Sequence, residues 1–239
     1  MKQEKPICEV FSEQDLIAFD RDLRGSLEEP GELEYVVEPR ITAVEVVMIY
    51  EKGTLRSAST QTGPVTPCIK TILTVPLTFV PLRKETRFPD YLMIKADVYM
   101  DTEALAKLNQ ERTAKNLPSF SDPKAAVEDS LNQTDPRISA KRPLNYFSSG
   151  TEQKDAFQAA THYDLMVALQ ELGLRVNRPR IKIVNGIGEA IDSCRGLSAQ
   201  KENFPYPVEG ALIRVNSLSL QEALSRSSGN RREEIVFRF

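Results

Sequence analysis

Histidine and cysteine are scarce in this sequence. His162 is the only histidine among 239 residues, which excludes a two-histidine metal site. Its place at the head of a capped helix reads as that of an ordinary surface residue. Cys8, Cys68 and Cys194 lie far apart, and none forms the close pair of a zinc knuckle or a redox dithiol, so no structural metal is expected. No apolar run reaches the length of a signal peptide or a membrane span. With an odd cysteine count, the chain reads as cytoplasmic, with reduced thiols and no membrane partner. The net charge of −3 gives no global attraction to nucleic acid, so such binding would need a local basic patch. Phosphate-loop and nucleophile-elbow patterns are missing. The "GIG" at Gly186 to Gly188 lacks the third glycine and the acidic residue of a dinucleotide fingerprint, and reads as a loop opening a helix.

What is present is ordinary for a folded globular chain: 41% hydrophobic and 27% charged residues. The length allows one large domain or two small ones. No Pro/Gly/Ser-rich linker divides it, so a single domain over residues 1–239 is expected, with an N-terminal helical segment over 1–30.

Ser12 and Asp15 make a capping-box pattern before Leu16, Phe19, Leu23 and Leu27, which fall on one helical face. "YVVEPRITAVEVVMIY", Tyr35 to Tyr50, reads as two strands around a short polar turn. The β-branched runs flanking Lys52-Gly53 predict a hairpin with a tight turn. "YLMIKADVYM" is a further strand, leading into a helix with Leu105 and Leu108 on its apolar side that ends before Pro118. Thr161 and Asp164 cap a helix whose stripe is Leu165, Ala168, Leu169 and Leu172, with Gly173 as its stop. "PRIKIV", "VEGALIRV" and "EEIVFRF" are strands, and "SLQEALS" is a short helix. Strands, hairpins and helices without a βαβ rhythm predict an α+β fold with antiparallel sheets flanked by helices.

A series of segments carries a resemblance over nearly the whole chain: "FSEQDLIAFDRDL", "YVVEP", "TEALAKLNQER", "SLNQTDPRISAKRPLNYF", "LQELGLRVN", "FPYPVEGALIRV" and the terminal "FRF". In these segments and their order the sequence resembles the adenylation (nucleotidyltransferase) domain of NAD-dependent DNA ligases. The stretch from Asp135 to Leu144 is the longest specific match. The resemblance implies the nucleotidyltransferase adenylation-domain fold, with NAD or AMP as ligand and DNA or a DNA repair or replication protein as partner. Few residues precede the first matched helix and none follow Phe239. The family's nicotinamide-binding subdomain, OB-fold, zinc finger and helix-hairpin-helix region are therefore not expected within these residues.

In the resembling family, a lysine in a Lys-Leu-Asp-Gly motif attacks the α-phosphorus of NAD, releases nicotinamide mononucleotide and carries AMP to a DNA 5′-phosphate. The matching residues here are Arg40, Ile41, Thr42 and Ala43. A lysine amine has a lone pair once deprotonated, and burial or neighbouring cations can lower its pKa. Arginine's guanidinium stays protonated in proteins, so position 40 keeps the charge and loses the nucleophile. No catalytic residue is therefore assigned.

The resemblance extends this pattern to the rest of the pocket. Glu38 stands at the glutamate on the adenine side. Thr42 replaces an acidic residue, and Gln61 in "TQTG" replaces an arginine of the ribose-holding motif, with a short deletion after it. Lys95 and Asp97 occupy the positions of arginine and glutamate. Lys124 and Asn132 stand at two arginine positions around an acidic Glu128-Asp129 pair that would repel nearby DNA phosphates. Lys201 sits at a further arginine position, and Glu209-Gly210 matches an Asp-Gly motif. Arg214 and Arg238 replace the two lysines that assist at the phosphate.

Three functions of different class follow from this pattern. The first is a catalytically inactive pseudoenzyme that binds a nucleotide or a DNA phosphate, or serves as an interaction module in DNA repair or replication. The second is an active nucleotidyltransferase using another nucleophile, such as Lys95 or Lys124. The third is a structural partner-binding protein with an empty pocket. The arginines either face the pocket, where they suit bidentate phosphate binding, or pair with Glu38, Asp97 and Glu209 and close it.

Overall fold

The computed structural model describes residues 7–27, 31–72, 89–228 and 233–239. In chain order the elements begin with β1 (Cys8–Val10), α1 (Glu13–Leu27), β2 (Glu34–Ile41), β3 (Val44–Glu51), β4 (Thr54–Thr60) and β5 (Gly63–Pro64). They continue with α2 (Thr66–Ile72), β6 (Tyr91–Met100), α3 (Thr102–Ala114), α4 (Pro123–Leu131), α5 (Pro136–Ser139) and β7 (Leu144–Thr151). The last are α6 (His162–Glu171), β8 (Lys182–Asn185), α7 (Gly186–Ala199), β9 (Val208–Val215), α8 (Leu218–Ser228) and β10 (Glu234–Arg238).

Two five-stranded sheets carry the fold. The first runs β1-β10-β9-β2-β8 and the second β5-β4-β3-β6-β7. All pairings are antiparallel except that of β1 with β10, so the α+β expectation holds. Helices α7 and α8 pack on the first sheet, with α1 against both of them, while α2, α4 and α6 pack on the second.

The local signals formed the elements they predicted. Ser12 Oγ accepts from the Asp15 amide (3.2 Å) and opens α1, and Thr161 Oγ1 accepts from the Asp164 amide (3.1 Å) at α6. Gly173, with φ of 91°, ends α6 in a conformation that favours glycine. Lys52 (φ 48°) and Gly53 (φ 76°) supply the two left-handed residues of a tight hairpin turn.

The two strands expected around Thr42-Ala43 are present, and they do not pair with each other, because β2 enters the first sheet and β3 the second. Backbone pairing is a tertiary choice: β2 finds β8 and β9, whereas β3 finds β4 and β6. The N-terminal segment is also not purely helical, since Cys8–Val10 extends along β10; residues 1–6 and 28–30 of it lie outside the described residues.

Each sheet has its own apolar cluster. Leu16, Tyr35, Val37, Ile213 and Ile235 belong to the first. Met48, Tyr50, Leu92, Ile94 and Leu165 belong to the second. The clusters interlock: Val36 of β2 joins the second, and Tyr99 of β6 joins the first, stacking on Phe147.

Candidate functional site

The site lies where the chain crosses between the sheets. Glu38 and Arg40 are two residues apart on β2, so their side chains share one face. Across the ladder from them on β9 are Leu212 and Gly210, and Arg214 continues the same row. Gly210 is also opposite Arg238 of β10. A Cβ at Gly210 would stand 2.3 Å from the Phe237 carbonyl oxygen, a distance no side chain tolerates. Glycine therefore lets the middle strand pass closely between the two arginine-bearing strands. From the second sheet, β6 contributes Lys95 and Asp97, with Glu45 of β3 directly opposite Asp97.

These residues line two adjoining cavities. The inner one, of about 130 Å³, is lined by Glu38, Arg40, Asp97, Arg214, Ser148 and Lys154, among others. The outer cleft, of about 440 Å³, shares Arg40 and Asp97 and adds Gln61, Lys124, Glu128 and Asn132. Thr42, Glu209 and Arg238 form a third group attached through Arg40. Lys201 lies in a 3-10 turn, Lys201–Asn203, and lines neither cavity.

Each of the three arginines Arg40, Arg214 and Arg238 is paired with protein carboxylates. Arg214, with 13% of its side chain exposed, bonds Glu234 through Nε at 2.7 Å and Nη2 at 2.5 Å, and lies 3.9 Å from Glu38. Glu234 is the residue directly across the β9–β10 ladder, a cross-strand ion pair that burial strengthens. Arg238 grips Glu9 with Nε and Nη2 (3.0 and 2.6 Å) and donates Nη1 to Glu209 at 2.8 Å. Arg40 holds Nε 3.7 Å from Glu209 Oε1, and Thr42 Oγ1 reaches the same carboxylate at 3.4 Å. Glu209 thus joins Arg40, Arg238 and Thr42.

Burial raises the Glu38 carboxyl above the usual carboxylate range against the pull of Arg214, with Asp97 and Glu234 adding to the rise. Asp97 is pushed up to about 6, chiefly by burial and then by Glu45, with Arg40 opposing. Lys154 donates to Gln221 Oε1 at 2.8 Å. Burial, then the charge of Arg214, lowers its ammonium below the ordinary lysine value.

His162 corrects the expectation of a surface residue. It is 3% exposed and sits under Arg214, whose Nη1 is 2.7 Å from its Nε2. The same Nη1 is 3.3 Å from Nδ1, and because arginine can only donate, the ring meets it with an acceptor nitrogen. Burial, followed by Arg214 and Lys154, holds its pKa well below the ordinary histidine value, and the ring is neutral. The capping pattern located the helix start correctly but carried no information about what covers it. Sequence reasoning also missed Glu234, Lys154 and Ser148, whose contacts arise only when distant strands meet.

Among the described residues, no group of three His, Cys, Asp or Glu side chains is placed to hold a metal ion. No helix of the described residues is long and apolar enough to cross a membrane.

A family model described as NAD-dependent DNA ligase adenylation domain matches residues 6–239. A DNA ligase of Syntrophus aciditrophicus is 35% identical over 240 residues, covering 98% of this chain and 35% of the relative. A DNA ligase of Carboxydothermus hydrogenoformans is 34% identical over 237 residues, covering 96% of this chain and 34% of the relative. One of Syntrophotalea carbinolica is 31% identical over 235 residues, covering 96% and 34% respectively. The chain spans about a third of the length of the curated relatives it matches. A family match from residue 6 to the last residue, supported by relatives above 30% identity along the same span, establishes that this chain belongs to the NAD-dependent DNA ligase adenylation domain family.

Proposed function

We propose that this adenylation domain is catalytically inactive and acts as a binding module in a DNA repair or replication setting in the cytoplasm. One observation carries the reading: Arg40, the residue that the family resemblance sets at the nucleophile position, keeps its guanidinium 3.7 Å from Glu209. A guanidinium has no accessible lone pair with which to attack phosphorus. Loss of a nucleophile lowers turnover by on the order of 10⁶ in a well-studied protease, which sets the scale expected here. The link to DNA comes from relatives that are DNA ligases and from nothing in the pocket itself.

A second reading, an active transferase with another nucleophile, is favoured by one feature. Lys154 lines the inner cavity with a depressed ammonium pKa, the condition that makes a lysine nucleophilic. Of the lysines suggested by the sequence, Lys95 lies 3.7 Å from Glu152, and Lys124 lines the outer cleft only.

Intact-mass spectrometry after incubation with NAD or ATP and a divalent metal separates these readings when run beside Arg40→Lys. The expected result is no adenylate on the unmodified protein and one on the variant. A mass gain on the unmodified protein overturns inactivity, and peptide mapping then locates the adduct on Lys154, Lys95 or Lys124.

A further inference from the structure

Arg175, Arg178, Arg180 and Lys182 set four cations within eight residues of a chain whose net charge is −3. All four are exposed, and among the described residues none of them is ion-paired with a carboxylate. Their contacts are neutral. Arg175 lies over the Tyr146 ring and donates Nη1 to Asn145 Oδ1 at 3.4 Å. Arg178 donates Nε to Tyr163 Oη at 3.1 Å, and Arg180 stands 4.7 Å from the centre of the Phe204 ring. Such contacts fix the side chains and leave their charge uncancelled, the reverse of what Glu209, Glu234 and Glu9 do to Arg40, Arg214 and Arg238. Arg178, Arg180 and Lys182 line neither cavity. They form a separate basic surface on an acidic molecule, and a surface of that kind steers and places an anionic partner.

The strand that follows says what kind of anion fits. β8 ends the first sheet and pairs only with β2. The Asn216 amide donates to the Glu34 carbonyl at 2.9 Å, so the backbone of Glu34 turns to β9, that of Tyr35 to β8 and that of Val36 again to β9. Ile183 stands opposite Val36, and in an antiparallel ladder such a pair exchanges no hydrogen bond. The N–H and C=O of Ile183 therefore face the open edge, and its side chain is 45% exposed. At Asn185, the next residue facing that way, Glu189 Oε2 closes the edge by accepting from the amide at 2.8 Å. One lysine on a short edge strand is a common guard against unwanted pairing, but the three arginines precede the strand and guard no edge. A nucleic acid would satisfy the arginines through its phosphates, yet it has no use for an open strand edge or an apolar side chain. Nor do the rings beneath the arginines offer a face for bases to stack on, since Tyr146 is 4% and Phe204 8% exposed.

We propose that residues 175–183 form a docking surface for an extended acidic segment of another protein. The segment adds a short strand to β8 by pairing with the backbone of Ile183, packs an apolar side chain against that of Ile183, and sets carboxylates against Arg178, Arg180 and Lys182. Main-chain bonds to an open edge supply affinity in this mode of recognition, and the alternating side chains supply specificity. Docking here is independent of whether the pocket binds a nucleotide or reacts with one.

Fluorescence anisotropy on the full chain tests it with a labelled peptide of alternating glutamate and valine, about ten residues long. Two control peptides replace glutamate by lysine, or valine by proline at unchanged charge, and a short labelled DNA duplex is the fourth probe. The expected result is that the glutamate–valine peptide binds about tenfold or more tightly than either control peptide and than the duplex at the same ionic strength. Lys182→Glu is expected to weaken it about three- to tenfold, with an unchanged urea midpoint because the lysine side chain makes no contact that the fold depends on. Arg180→Glu is expected to act in the same direction, whereas Lys52→Glu, the same change of charge on the β3–β4 turn, leaves binding unaltered. Absence of binding overturns the proposal. Equal binding of the proline peptide overturns strand addition in favour of charge attraction alone, and tighter binding of the duplex overturns the protein partner in favour of nucleic acid.

Discussion

Burial pushes the Asp97 carboxyl up to about 6; Glu45 directly opposite and Glu209 add to the shift, while Arg40 and Arg214 oppose it. An ordinary aspartate titrates near 3.9, so the folded protein holds this proton more tightly than the unfolded chain does. The stabilisation is complete below about pH 4 and is lost as pH rises through 6. Asp97→Asn mimics the protonated form. Its urea midpoint is expected to exceed that of the unmodified protein at pH 8, by at most about 3 kcal/mol in stability, and the gap is expected to close toward pH 4. A gap independent of pH would show that Asp97 is not the titrating group. Arg214 illustrates the opposite balance at the same scale. It sits among Glu234, Glu38 and neutral His162, and a planar guanidinium fork serves three simultaneous partners better than the single ammonium of a lysine would.

Elements differed in how far the sequence disclosed them. The hairpin β3–β4 was legible because its turn needs two left-handed residues and Lys52-Gly53 provides a glycine for one of them. Lysine at the other is strained, and asparagine accepts that conformation more readily. Lys52→Asn is expected to raise stability by about 0.5–1 kcal/mol in urea unfolding, with no change in ligand binding; a loss of stability would mean the lysine side chain is structurally engaged. Capped helices α1 and α6 were legible for the same local reason. Helix α7 was only hinted at, because, of its buried residues, Gly186, Ala190, Ser193 and Cys194 are small and only Ile191 and Leu197 are large and apolar. The separation of β2 from β3 was not legible at all, since a two-residue connection looks alike whether its strands pair or part. Of the residues singled out in the sequence, Glu38, Arg40 and Asp97 line one cavity, and Arg40, Asp97, Gln61 and Lys124 line the other. What their charges pair with was decided by β10 and β1, whose registers no local pattern records.

For the whole molecule, the exchange of residues between the two apolar clusters has a measurable result. Val36 is held in the second cluster and Tyr99 in the first, so neither sheet can open without uncovering part of the other's core. Far-ultraviolet and near-ultraviolet circular dichroism are expected to report a single, coincident urea transition. Two separated transitions would show the sheets to be independent units, against the single domain expected from the sequence. The first sheet also draws its strands from both ends of the chain: Glu9 meets Arg238, and Thr42 meets Glu209. All strands of the second sheet lie between residues 44 and 151. During synthesis, which releases the N-terminal part first, the second sheet can close while β8, β9 and β10 are still unmade. The pocket and its ion pairs are therefore completed on a sheet already in place, and in a nascent chain Arg214 and Arg238 have their full set of carboxylate partners only once β10 has docked.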